Sequence, residues 1–162
     1  MADKNITSDI ITLSVPAQLE NLHMIRYVVL HAAMQFGFSS EDAAKVEMDD
    51  DEACTNVILH GYGYGDQAKK DPYPPLFLNF LFDKEKLIIE IADQAKRFSP
   101  IRQEPPAIEN LHHRRQKGGL GIYIMNSLMD EISHNYSEDA GGNVLQLIKF
   151  LHGPANSSAP AT

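Results

Sequence analysis

Hydrophobic and polar positions along the chain switch between a period of two and a period of about 3.6, and each switch marks an element. Residues 10–15, Ile-Ile-Thr-Leu-Ser-Val, are β-branched and largely alternating, and Pro16 follows. That pattern predicts a first strand at a sheet edge, where a missing N–H does least harm. Between residues 19 and 36, Leu22, Ile25, Val29, Ala32, Ala33 and Phe36 recur at helical spacing, with Gly37 as the stop signal. Ser39 or Ser40, followed by Glu41 and Asp42, caps a second helix that runs to about His60. Glycines at 61, 63 and 65 open a loop extending to Pro74 and Pro75. Residues 76–82 and 86–92, on either side of Asp83-Lys84-Glu85, predict an antiparallel hairpin.

The second half is less periodic. Residues 99–117 carry three prolines and the basic cluster His112-His113-Arg114-Arg115-Gln116-Lys117, so a long loop is expected, of the kind that is usually functional or mobile. A short helix over 120–129 follows Gly118-Gly119-Leu120-Gly121, and strands over 131–136 and 143–151 are joined by an acidic, glycine-containing turn. Residues 1–9 are expected to be flexible, 10–152 to form one domain, and the Pro, Ser and Ala-rich tail from 153 to 162 to be disordered. The order strand, two helices, two strands, loop, helix, two strands describes an α+β protein. Its expected form is a two-layer α/β sandwich with helices on one face of a mixed, mostly antiparallel sheet.

Composition narrows the function classes. A chain of 162 residues, 43% hydrophobic and 22% charged, suits a single domain with a sizeable core. The net charge of −8 argues against direct nucleic-acid binding, which needs a basic face to displace phosphate counterions. The single cysteine, Cys54, excludes a disulfide framework and a thiolate metal cluster, and fits a reducing cytosol. No hydrophobic leader follows Met1, and no apolar run approaches the roughly 20 residues that span a bilayer. A soluble, cytoplasmic protein without a membrane partner is expected.

Three segments could carry chemistry. Glu52 and Asn56 lie four residues apart in an otherwise apolar helix, so at about 100° per residue they share a face with His60. Asn there is costly unless something polar docks on it. Glu52 could accept a proton from an attacking hydroxyl, and the Asn56 carbonyl suits a hard cation such as Mg²⁺. An ordinary solvated stripe of Asp49, Glu52, Asn56 and His60 is the equally open alternative. Asp93 ends an apolar strand, where its carboxylate could meet the amino group of adenine or bond its own backbone in a turn. Gly119, Leu120 and Gly121 precede a helix and offer backbone N–H groups to an anion, or simply form a hinge. Asp49, Asp50, Asp51 and Glu52 point in different directions on a helix and cannot share one ion, and His112-His113 lacks further ligands for zinc.

Glu-x-x-x-Asn on a helix, an Asp after a strand, and Gly-Leu-Gly before a helix together resemble the GHKL ATPases with their Bergerat nucleotide fold. Within that group, the run from Glu52 to Tyr62 and the run from Gly118 to Glu131 look like the anti-sigma-factor serine/threonine kinases of the RsbW type, over approximately residues 10–151. The resemblance implies bound ATP and Mg²⁺, Glu52 as general base, Asn56 as Mg²⁺ ligand, Asp93 as adenine-binding carboxylate, and Gly119-Leu120-Gly121 as the phosphate-side turn. Asn143 falls where the family often has a hydroxyl residue near adenine, and residues 99–117 would be the ATP lid. The implied partners are a sigma factor and a STAS-domain antagonist, with a homodimer also in keeping with the family. The chain departs from the pattern after Asp93, where Ala95, Lys96 and Arg97 stand in a turn that generally contains glycine. The added Cβ and the lost access to positive φ bear on nucleotide affinity. A noncatalytic module that sequesters a partner is the second reading. A sensor histidine kinase fits poorly, because no phosphoacceptor helix pair precedes Ile10.

Overall fold

Burial alternates along the central hairpin and shows which side of the sheet is covered. Leu76, Leu78, Phe80 and Phe82 of strand β2 (Pro75–Phe82) are buried, as are Leu87, Ile89 and Ile91 of β3 (Lys86–Asp93). Side chains at every second position share a face, so these seven form one apolar surface. Against it pack helix α1 (Leu22–Gln35), through Ile25, Val29 and Ala33, and helix α2 (Ser40–Asn56), through Val46, Ala53 and Cys54. The computed structural model describes residues 9–63, 72–96, 128–138 and 141–151. The expected terminal segments apart from Asp9, which is in a strand, the loop over 99–117 and most of the helix over 120–129 fall outside these residues, and Gly119, Leu120 and Gly121 with them.

Strands β1 (Asp9–Pro16), β4 (Glu131–Ser137) and β5 (Gly142–Phe150) complete a sheet of order β1-β2-β3-β5-β4. β1 is an edge strand, as its terminal proline predicts. All four pairings are antiparallel where a mixed sheet was expected, because β1 enters beside β2 from the opposite end after the two helices have returned the chain. The register places Asp93 opposite Asn143 at one end of the sheet. The other sheet face carries a cross-strand polar row: Thr12 Oγ1 donates to Asn79, Ser133 Oγ to Gln146, and the Gln146 amide to Glu90 at 2.7 Å.

Local signals place the helix ends. Gly37 adopts φ +102°, a left-handed conformation that terminates α1 without Cβ strain. Of the two candidate caps the fold uses Ser39, whose hydroxyl accepts the Asp42 N–H at 3.1 Å. Arg26 of α1 pairs with Asp51 of α2 and ties the two helices together. Beyond Asn56 the chain continues as a π-helical turn, Val57–Gly61. Such turns shift the helical phase by one residue and recur at functional sites.

Candidate functional site

The end of α2 and the end of β3 build the site. Glu52 and Asn56 stand one turn apart, and the Asn56 amide donates to Glu52 Oε1 at 3.1 Å. Asn56 is only 5% exposed. Because its nitrogen is turned to the carboxylate, its carbonyl oxygen points away and is the acceptor left for an incoming group. A neutral, hard oxygen on a fixed side chain suits a cation that keeps most of its shell as water and phosphate oxygens, as Mg²⁺ does. His60, the third member of the stripe, is exposed. Asp49 and Asn56 are buried, so the stripe is not an ordinary solvated face.

Asp93 closes β3 with its side chain buried. Its Oδ1 accepts the Ala95 N–H at 2.8 Å, the turn geometry that Asp favours, and the Asn143 amide at 2.9 Å. Both bonds fall on one oxygen, which leaves Oδ2 to receive a donor from a ligand. Burial pushes the Asp93 carboxyl above its ordinary value, and the Asn143 amide and Ala95 N–H oppose that shift. The same Asn143 nitrogen lies 3.2 Å from the carbonyl oxygens of both Ala95 and Lys96. The turn that lacks a glycine is thus held by side-chain and backbone hydrogen bonds.

The two halves meet through the π-helical turn. Tyr62, just beyond it, accepts the Gln94 N–H on its phenolic oxygen at 2.7 Å. A Cβ built on Gly61 would lie 3.0 Å from the Cβ of Ala95, so helix and turn are in close contact. Gly142 is tighter still: a Cβ there would sit 1.9 Å from the Asp93 carbonyl oxygen. Glycine at 142 is what lets β5 bring Asn143 against Asp93.

The structure therefore pairs Glu52 with Asn56 and Asp93 with Asn143. Three features escape a reading of motifs. Tyr62 and His134 act through long-range contacts that no local pattern announces, although His134 alternates with Ile132 and Tyr136 on the inner side of β4. Asp50, spaced at helical intervals from Val46, Ala53, Cys54 and Val57, lies on the apolar face of α2, and that spacing could have been read. Asp49 and Asp50 are both fully buried, and among the described residues both Asp49 oxygens and Asp50 Oδ1 have no hydrogen-bond partner. Burial raises the Asp49 carboxyl to about 7, with Lys149 opposing and Glu52 adding to the shift. Burial likewise raises Asp50 to about 8, Asp51, Glu47 and Asp49 adding to the shift and the Cys54 thiol, which donates to it, opposing. Burial pushes the Cys54 thiol up as well, so Cys54 is a core residue without thiolate character.

The Histidine kinase-like ATPase domain family matches residues 15–149. The chain is 28% identical to the serine-protein kinase RsbW of Bacillus subtilis (strain 168) over 151 residues, covering 90% of this chain and 88% of the relative. It is 31% identical to the serine-protein kinase RsbW of Halalkalibacterium halodurans, covering 87% of this chain and 83% of that one. Among solved structures, the RsbU and RsbW domains of Rv1364c from Mycobacterium tuberculosis share the fold, with a TM-score of 0.57 at 14% identity. That match covers 88% of this chain and 32% of the longer one. No helix among the described residues is long and apolar enough to cross a membrane. With its α+β sandwich and a match that runs from β1 into β5, the chain belongs to the histidine kinase-like ATPase domain family and is similar, over about nine-tenths of its length, to the RsbW serine-protein kinases.

Proposed function

We propose that this protein is an ATP-dependent serine/threonine protein kinase that acts as an anti-sigma factor in a partner-switching pathway, binding a sigma factor and phosphorylating a STAS-domain antagonist. The observation that carries the reading is the Glu52–Asn56 pair: the buried amide is oriented by the carboxylate, so that a base and a hard oxygen ligand stand side by side. In this reading Asp93 Oδ2 accepts the adenine amino group and Asn143 holds the carboxylate for it. Asn56 holds Mg²⁺ through its carbonyl, and Gly119, Leu120 and Gly121 offer N–H groups to the phosphates. The nucleotide supplies the phosphoryl group and the metal neutralises its charge. Phosphoryl transfer is mostly positioning and electrostatics, so the chain's own chemical task is small. Glu52, with one oxygen engaged by Asn56, uses the other to take the proton of the substrate hydroxyl. Homodimerisation finds support in the exposed Ile10 and Leu19 near the edge strand.

The sequestering module without catalysis was favoured by the glycine-free turn after Asp93. The hydrogen bonds that hold that turn weigh against this reading. The test is transfer of label from ATP to a panel of purified STAS-domain antagonists. One antagonist is expected to be phosphorylated on Ser or Thr, and Glu52→Ala is expected to slow transfer by about 10² to 10⁴ while ATP still binds. Partner binding with no transfer by the wild-type protein would favour the module instead.

A further inference from the structure

His134 lies on β4, two strands away from Asp93, and a single line of hydrogen bonds connects them. The Asn143 amide nitrogen faces three oxygens: Asp93 Oδ1 at 2.9 Å and the carbonyls of Ala95 and Lys96, each at 3.2 Å. Reversing the amide would set its carbonyl against all three, so its orientation is determined. The Asn143 carbonyl oxygen then faces His134 Nε2 at 3.3 Å, and that nitrogen must carry the proton. The register explains the reach. His134 is opposite Leu145, and Asn143 is the diagonal neighbour on the same sheet face.

We infer that His134 is a positioning residue for base recognition, fixing the Asp93 carboxylate and the turn after it through the Asn143 amide. The inference rests on the proposed adenine-binding role of Asp93. Asp93 Oδ1 takes two donors, the Asn143 amide and the Ala95 N–H, and this keeps the carboxylate from rotating and presents Oδ2 to the ligand. Without a donor at 134 the Asn143 amide loses the His134 bond to its carbonyl oxygen, and one of the two locks on Asp93 loosens. What is lost is discrimination for an exocyclic amino group, since that is the group Oδ2 would read.

Inosine triphosphate has the same phosphates and ribose as ATP but a carbonyl in place of the amino group. Titration of each nucleotide into the full chain gives an ATP to ITP affinity ratio that a purely structural role for His134 would not move. His134→Ala is expected to lower the ratio by about 3- to 10-fold, the range of one net hydrogen bond. His134→Gln, which can donate from a similar position, is expected to restore it. His134→Phe keeps a ring without a donor, and it gives the same reading if the alanine variant does not fold. Asp93→Asn separates the two levels of argument. A ratio lowered by Asp93→Asn but untouched in the His134 variants overturns the inference and leaves the site intact. A ratio untouched by Asp93→Asn as well overturns the adenine assignment and the inference with it. An equal loss of ATP and ITP affinity in the His134 variants assigns that residue to stability alone and overturns its positioning role.

Discussion

Two adjacent aspartates in the core of α2 give the protein an unusual response to acid. A carboxyl in an unfolded chain titrates near 3.9. In the fold Asp49 titrates at about 7 and Asp50 at about 8, both raised by burial. Between these values the native state holds protons that the unfolded chain has lost, so stability falls as pH rises and levels off once both groups have ionised in the fold. This is the reverse of a salt-bridged carboxylate. Asp50→Asn is expected to be nearly neutral at about pH 4 and to stabilise progressively as pH rises toward about 8, by up to about 1.4 kcal/mol per pH unit, because the amide has no proton to lose. Urea unfolding across that range measures it. Parallel stability curves for the variant and the parent would show that Asp50 does not titrate as its burial requires. Ala95 makes a second point at this scale. Its side chain is buried against Gly61 and its turn is hydrogen-bonded, so Ala95→Gly is expected to leave ATP affinity unchanged or weaker. Tighter binding by calorimetry would mean that the turn is strained after all.

Among the elements, the hairpin of β2 and β3 was the most legible in the sequence, because two apolar runs of strand length flank Asp83-Lys84-Glu85 and Asp83 takes the turn. α1 and α2 were legible from their spacing and caps, including the Gly37 stop. The π-helical turn was not, since Val57-Ile58-Leu59-His60 reads equally well as α-helix and only contact with the Asp93 turn distinguishes them. The contact between Glu52 and Asn56 was legible in their four-residue interval. Asp93 stood out by its place after an apolar strand, with its own-backbone bond and a ligand role posed as alternatives; the structure shows that bond on Oδ1. The contribution of β5 to the site rests on a glycine whose role no local signal reveals. Gly142→Ala would force a Cβ to within 1.9 Å of the Asp93 carbonyl oxygen. It is expected to destabilise the fold by about 1–3 kcal/mol or more and to weaken ATP binding, as β5 withdraws Asn143 from Asp93. Thermal unfolding and nucleotide titration check the two effects separately. A stable variant with parental affinity would show that β5 and β3 do not approach as described.

At the scale of the whole molecule, the sheet and its two helices bring together the end of α2 and the end of β3, which are far apart along the chain. Net charge and composition argued against nucleic acid and a disulfide framework but did not indicate this meeting, which depends on the strand order β1-β2-β3-β5-β4. The central claim is that one nucleotide is held at both ends, by Asp93 at the base and by Asn56 through the metal. The most direct test is calorimetric titration of the wild-type, Asn56→Ala and Asp93→Asn proteins with ATP, each with and without Mg²⁺. The account predicts that Asn56→Ala loses the tightening that Mg²⁺ confers, while Asp93→Asn weakens binding to a similar degree in both conditions. Parental affinity in both variants, with and without the metal, would contradict it.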